Sequence, residues 1–102
     1  MTERNLPQSV LKYARHLRET YADLRTVYLF GSHARGSSHP DSDIDIAAVF
    51  SKVSDSFDLQ VQLMKIRRKY DTRIEPHVFK AEEFNASNPM ASEIIRTGIE
   101  IQ

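Results

Sequence analysis

The sequence predicts one α/β or α+β domain with a small sheet, spanning residues 1–102. Three observations predict it. Apolar residues recur at three- and four-residue spacing over residues 7–21 and again over 59–70, the period of one-sided helices. Short β-rich runs at residues 26–30, 43–50 and 72–79 alternate with those helical stretches. The composition, 40% apolar and 27% charged in 102 residues, is that of a chain able to bury a single core.

The same composition excludes several classes of function. Fourteen basic and fourteen acidic residues cancel, so no global field is available to hold a nucleic-acid backbone. With no cysteine, neither a disulfide framework nor a thiolate metal site can form. No apolar run approaches a membrane span and the N-terminus lacks a signal-peptide core, so a cytoplasmic protein with no membrane partner is expected.

In chain order, Pro7 stands where a first helical residue would, with Asn5 upstream, and Val10, Tyr13, Ala14, Leu17 and Tyr21 form the stripe of a helix that packs on the sheet. Residues 26–30 read as a central strand buried on both faces. Gly31 then permits a tight turn, Ser32 is suited to cap a short helix through Ala34 and Arg35, and Gly36 ends it. A loop containing Pro40 leads to the second strand, residues 43–50. Ile44, Ile46, Ala48 and Phe50 share one face of it, and Asp43, Asp45, Ala47 and Val49 the other.

Ser54, Asp55, Ser56 and Asp58 open the next helix, whose buried stripe is Leu59, Leu63, Ile66 and Tyr70, widened by Val61 and Met64. The basic run Lys65, Arg67, Arg68 and Lys69 complements the helix dipole at its end. In the third strand, residues 72–79, Arg73, Glu75, His77 and Phe79 share a face, and Pro76 places the strand at a sheet edge or at a bulge. Residues 80–84 read as a turn of helix. Asn88-Pro89 starts a last helix that carries Met90, Ile94 and Ile95 inward, Gly98 stops it, and residues 99–101 add an edge strand.

Strand alternation lets three carboxylates converge if their strands are neighbours: Asp43 and Asp45 from one, Glu75 from another. Oxygen ligands of this kind suit Mg²⁺ or Mn²⁺, which draw their remaining ligands from water and substrate phosphates. Clustered carboxylates otherwise repel one another, a cost that a cation removes. Gly31 and Ser32, at a turn into a helix, can offer backbone N–H and hydroxyl groups to phosphates, and Arg35 can reach the same anion. Arg73 can balance triphosphate charge and His77 can hydrogen-bond a carboxylate. His33 and His39 read as exposed loop or helix residues and His16 as a helix-surface residue; their spacing is too loose for a zinc site.

The segment Gly31-Ser32, ten intervening residues, then Asp43-Ile44-Asp45-Ile46 resembles the signature of the DNA polymerase β-like nucleotidyltransferase superfamily. Within it the chain is similar to the minimal nucleotidyltransferases encoded beside HEPN-domain proteins, from the first strand through the C-terminal Glu-Ile-Ile-Arg-Thr-Gly-Ile-Glu-Ile. The resemblance implies the polymerase β-like fold with a mixed sheet and two Mg²⁺ ions (Mn²⁺ as an alternative) on Asp43 and Asp45. It also implies nucleotide phosphates, with ATP as substrate, on Gly31 and Ser32, and a third carboxylate for the catalytic metal. Glu75 matches that third position with a side chain one methylene longer than the usual Asp.

Larger members carry a further helical domain that grips base and acceptor, so a partner subunit or self-association is expected to complete the cleft. The resemblance points to a helical HEPN protein as that partner. The activity it implies is antitoxin action by transfer of AMP to a tyrosine of the HEPN toxin. The competing expectation is a nucleotide-binding antitoxin that neutralises its partner by contact alone. Nucleic-acid binding through the Lys65–Lys69 run lacks both net charge and a recognition motif.

Overall fold

The computed structural model describes residues 6–102; Asn5, expected just upstream of the first helix, lies outside them. The elements run α1 (Gln8–Thr20), β1 (Leu24–Phe30), α2 (Ser32–Arg35), β2 (Ile44–Phe50), α3 (Ser56–Ile66), β3 (Ile74–Lys80), α4 (Pro89–Thr97) and β4 (Ile99–Ile101). Single 3-10 turns occupy Arg67–Lys69 and Ala81–Glu83. The strands form one mixed sheet in the order β3-β2-β1-β4. β1 pairs antiparallel with β2 and β4, while β2 and β3 are parallel. A parallel pair needs a crossover, and α3 supplies it.

One sheet face forms the core. Val27, Leu29, Ile44, Ile46, Ala48, Phe50, Ile74 and Ile101 meet Val10, Tyr13, Ala14 and Leu17 of α1 and Leu63 of α3. Alternation on β2 therefore sends its isoleucines inward and leaves Asp45 on the opposite face. Tyr13 keeps its polar tip satisfied by donating to the Leu63 carbonyl at 2.9 Å, and burial pushes its phenol pKa upward. Pro76 sits on an edge strand, where its missing N–H disturbs no ladder between strands, and its carbonyl accepts from Gln60 Nε2 at 2.6 Å. Capping follows the sequence closely. Asp55 accepts from the Asp58 N–H, Asn88 accepts from Met90 and Ala91, and Gly98 follows the last turn of α4.

Several expectations are corrected. Pro7 is the N-cap of α1 rather than its first helical residue. β1 buries only Val27 and Leu29 completely; Tyr28 and Phe30 are half-buried because α1 and α3 cover one face only. Tyr28 packs instead on Phe84, at 5.5 Å between ring centroids. In α3 only Leu63 is fully buried, and the helix ends at Ile66, so Arg67–Lys69 lie in the 3-10 turn beyond it. In α4 the inward residues are Ala91 and Ile94, one turn apart on a single face. Met90 and Ile95, each a residue to the side, are 44% and 45% exposed. His16 is half-buried, with Nδ1 2.6 Å from the Tyr70 hydroxyl. No helix among the described residues is long and apolar enough to cross a membrane.

Candidate active site

β1 leaves the sheet at Phe30, and the chain reverses at Gly31 into α2. Gly31 holds φ 77° and ψ −153°, a combination open essentially to glycine alone. Gly31, not Ser32, is the N-cap residue of α2, and Ser32 is the first helical residue. This corrects the expected cap by one position: Ser32 has no capping bond to make, so its half-buried hydroxyl stands at the first turn. Gly36 closes α2 in the left-handed region at φ 74°. Arg35 is exposed at the end of α2; its backbone N–H donates to the Gly31 carbonyl at 3.1 Å, and its guanidinium has no hydrogen-bond or ion-pair partner among the described residues.

Beneath that turn lies Asp45. It is paired in register with Phe30 on β1 and with Glu75 on β3, so the two carboxylate residues stand side by side on adjacent parallel strands. Gly31 lies so close that a Cβ built on it would collide with Asp45 Oδ2. The other oxygen, Oδ1, lies 3.3 Å from His77 Nε2, and the His77 ring packs edge-on against Phe30 at 5.1 Å. The Glu75 carboxylate lies 3.8 Å from Arg67 Nη1, which also donates to the carbonyls of Ile74 at 2.8 Å and Thr72 at 3.1 Å. Arg67 therefore does more than complement a helix dipole: it fastens the 3-10 turn to the start of β3.

Asp43 stands one residue ahead of β2, and its residue is exposed rather than strand-borne. Its segment is held from two sides. From α2, His33 Nδ1 donates to the Asp43 carbonyl at 3.0 Å; a carbonyl only accepts, so Nδ1 carries the proton. From β3, Arg73 Nη1 donates to the Pro40 carbonyl at 3.0 Å, while the Ile44 N–H donates to the Arg73 carbonyl at 2.9 Å. Neither link has a sequence signal, since each joins a side chain to a backbone carbonyl in a loop without periodicity.

Arg73, expected to offset triphosphate charge, is thus engaged in the fold. Its guanidinium forks onto Asp71, with Nε to Oδ1 at 3.1 Å and Nη2 to Oδ2 at 2.8 Å. That hydrogen-bonded cation, with a bond from Ser9, holds the Asp71 carboxyl at about 2 against an ordinary 3.8. Because the folded-state value is depressed, the pair's stabilisation is complete above about pH 4 and is lost as pH falls through about 2. Denaturant midpoints measured between about pH 5 and about pH 2 are expected to fall less steeply for Asp71→Asn than for the wild type.

As a donor set, Asp43, Asp45 and Glu75 offer oxygen only, which fits a hard divalent cation such as Mg²⁺. Asp45 and Glu75 stand in register and Asp43 precedes Asp45 by two, but among the described residues no three acidic or histidine side chains are gathered at metal-binding spacing. Asp45 instead has the His77 imidazole beside it, and Glu75 the Arg67 guanidinium. An open hollow of about 240 Å³, lined by Tyr21, Phe50, Lys52, Asp55, Asp58 and Gln62, lies at the opposite end of β2.

A family model described as "Polymerase beta, Nucleotidyltransferase" matches residues 12–102, and the chain belongs to that family. Protein adenylyltransferase MntA of Shewanella oneidensis is 26% identical over 87 residues, which make up 85% of this chain and 60% of that protein. The chain thus spans about three-fifths of the length of this curated relative. A crystal structure of a toxin–antitoxin with AMP-PNP matches at 20% identity and a TM-score of 0.63, over 94% of this chain and 73% of that one. The complex of tri-AMPylated Shewanella oneidensis HEPN toxin with MNT antitoxin matches at 17% identity and a TM-score of 0.55, over 93% and 72%. At these identities the two structures establish a shared fold.

Proposed function

We propose that this chain is the nucleotidyltransferase antitoxin of a toxin–antitoxin pair, transferring AMP from ATP to a tyrosine hydroxyl of a helical HEPN toxin in a Mg²⁺-dependent reaction. The observation that carries the reading is the pairing of Asp45 with Glu75 across parallel strands directly below the Gly31 turn. The similarity to an adenylyltransferase, and to the fold of an antitoxin bound to an AMPylated HEPN toxin, supports the nucleotide and the acceptor.

In this reading the Gly31–Ser32 turn and Arg35 receive the phosphates, and the acceptor hydroxyl approaches from the exposed side of Asp43 and Asp45. The hydroxyl attacks the α-phosphorus in line, the bond to the bridging oxygen of the β-phosphate breaks, and pyrophosphate leaves. A carboxylate oxygen of Glu75 takes the hydroxyl proton as the new P–O bond forms. Asp43, Asp45 and Glu75 would hold up to two Mg²⁺ ions, whose role is to neutralise charge on the attacking and leaving oxygens.

Incubation of the chain with its HEPN partner, Mg²⁺ and α-labelled ATP is expected to place label on a toxin tyrosine and release pyrophosphate. Absence of label on the toxin, with the two proteins bound to each other, would overturn the reading. The ion pair between Glu75 and Arg67, and the absence of a gathered carboxylate trio among the described residues, favour a second reading: an antitoxin that acts by contact alone. It predicts that Asp43→Asn with Asp45→Asn still neutralises the toxin in cells, whereas an enzymatic antitoxin loses protection.

A further inference from the structure

Asp45, on β2, is flanked by two strands. β1 brings Phe30, in register with it, β3 brings Glu75, and two residues further along the same face of β3 comes His77. The side chains of His77 and Asp45 are 31% and 29% exposed, so their contact is partly shielded from water and stronger than a surface pair. Phe30 fixes the plane of the imidazole by edge-on packing at 5.1 Å. An ionised carboxylate only accepts, so Nε2 carries the proton and donates to Oδ1 at 3.3 Å. Oδ1 is thereby occupied, and Oδ2 is the oxygen turned against the Gly31 backbone.

We infer that His77 is a positioning residue for Asp45, a hydrogen-bond donor that fixes the carboxylate rotamer and sets which oxygen faces the Gly31 turn. The inference rests on the proposed function, because it assigns Oδ2 to the side from which phosphates and cation arrive. Carboxylates that ligate metals are held by hydrogen bonds from a surrounding layer, and removing one such partner weakens metal binding about 10- to 100-fold. β3 then supplies two things from one face: the ligand Glu75 and, two residues on, the buttress of the ligand opposite it. Phe30 has a matching role, since a ring free to rotate about its own bonds would aim Nε2 less narrowly.

The test uses Mn²⁺ binding to the full chain, followed by electron paramagnetic resonance, beside the Mg²⁺ concentration for half-maximal AMP transfer. His77→Phe keeps the ring against Phe30 and removes the donor. It is expected to weaken Mn²⁺ binding and raise the Mg²⁺ requirement about tenfold. His77→Gln returns an N–H near the position of Nε2 and is expected to restore both to within about threefold of wild type, a rescue that a packing role does not predict. If His77→Phe does not fold, His77→Asn, whose amide falls short of Oδ1, takes its place. Wild-type Mn²⁺ affinity in the variant lacking the donor would overturn the inference, as would failure of Gln to restore binding. Failure of the functional reading is read separately: wild type that binds no Mn²⁺, or binds it as well after Asp45→Asn, removes the site itself.

Discussion

Asp45→Asn is expected to reduce AMP transfer on the order of a thousand-fold while leaving the fold intact. Asparagine has the same shape, so Ile44 and Ile46 stay in the core and the register with Phe30 and Glu75 is undisturbed. What disappears is the negative charge at the position nearest the Gly31 turn. Loss of a single preorganised electrostatic group costs about 10²–10³ in turnover, and one that also holds a cation belongs at the upper end. Single-turnover transfer of labelled AMP measures the loss, and thermal unfolding checks the fold. Transfer within about tenfold of wild type would place the chemistry elsewhere.

Gly31→Ala is expected to damage stability and activity together. At φ 77° and ψ −153° any side chain is strained, at a cost of about 1–3 kcal/mol, which urea unfolding reads directly. The new methyl also meets Asp45 Oδ2. Relief requires Asp45 to turn toward His77 or the turn to lift away from β2, and either shift separates the backbone proposed to bind phosphates from the carboxylate. A displacement of about 1 Å at a reacting centre costs about 10²-fold. Loss of transfer in Gly31→Ala at temperatures where the protein remains folded therefore separates the geometric effect from the thermodynamic one.

Much of this arrangement is legible in the sequence because strand alternation is strict. With a period of two, placing Ile44 and Ile46 in the core necessarily puts Asp45 on the far face, and the same parity puts Glu75 and His77 together. Pro76 marks an edge strand through its missing N–H, and Asp55 and Asn88 mark helix starts through their side-chain oxygens. Helical faces are less sharply written. Met90, Ile94 and Ile95 are equally apolar, and only packing decides that Ala91 and Ile94 face inward. An apolar strand such as β1 does not reveal that Tyr28 and Phe30, away from α1 and α3, stay only half-buried.

The charged side chains were the least legible. Arg73 and Arg67 have the composition of phosphate ligands, yet Arg73 forks onto Asp71 and Arg67 binds the carbonyls of Thr72 and Ile74. Sequence patterns report which face a residue occupies, whereas the partner of a long side chain depends on what the fold brings within its reach. The same holds for His33. Its sequence position reads as an exposed one, but its imidazole ties the helix after the Gly-Ser turn to the carbonyl of Asp43. The turn and the first aspartate are therefore mechanically joined, a link between the two halves of the motif.

The proposed chemistry requires Asp45 and Glu75 to act as one site across β2 and β3. Anomalous diffraction from crystals of the chain grown with Mn²⁺ and AMP-PNP tests this most directly. A manganese peak is expected within coordination distance, about 2.1 Å, of an oxygen of Asp45 and an oxygen of Glu75, with Glu75 swung away from Arg67. A manganese ion held by Asp43 and Asp45 while Glu75 stays against Arg67 would contradict it.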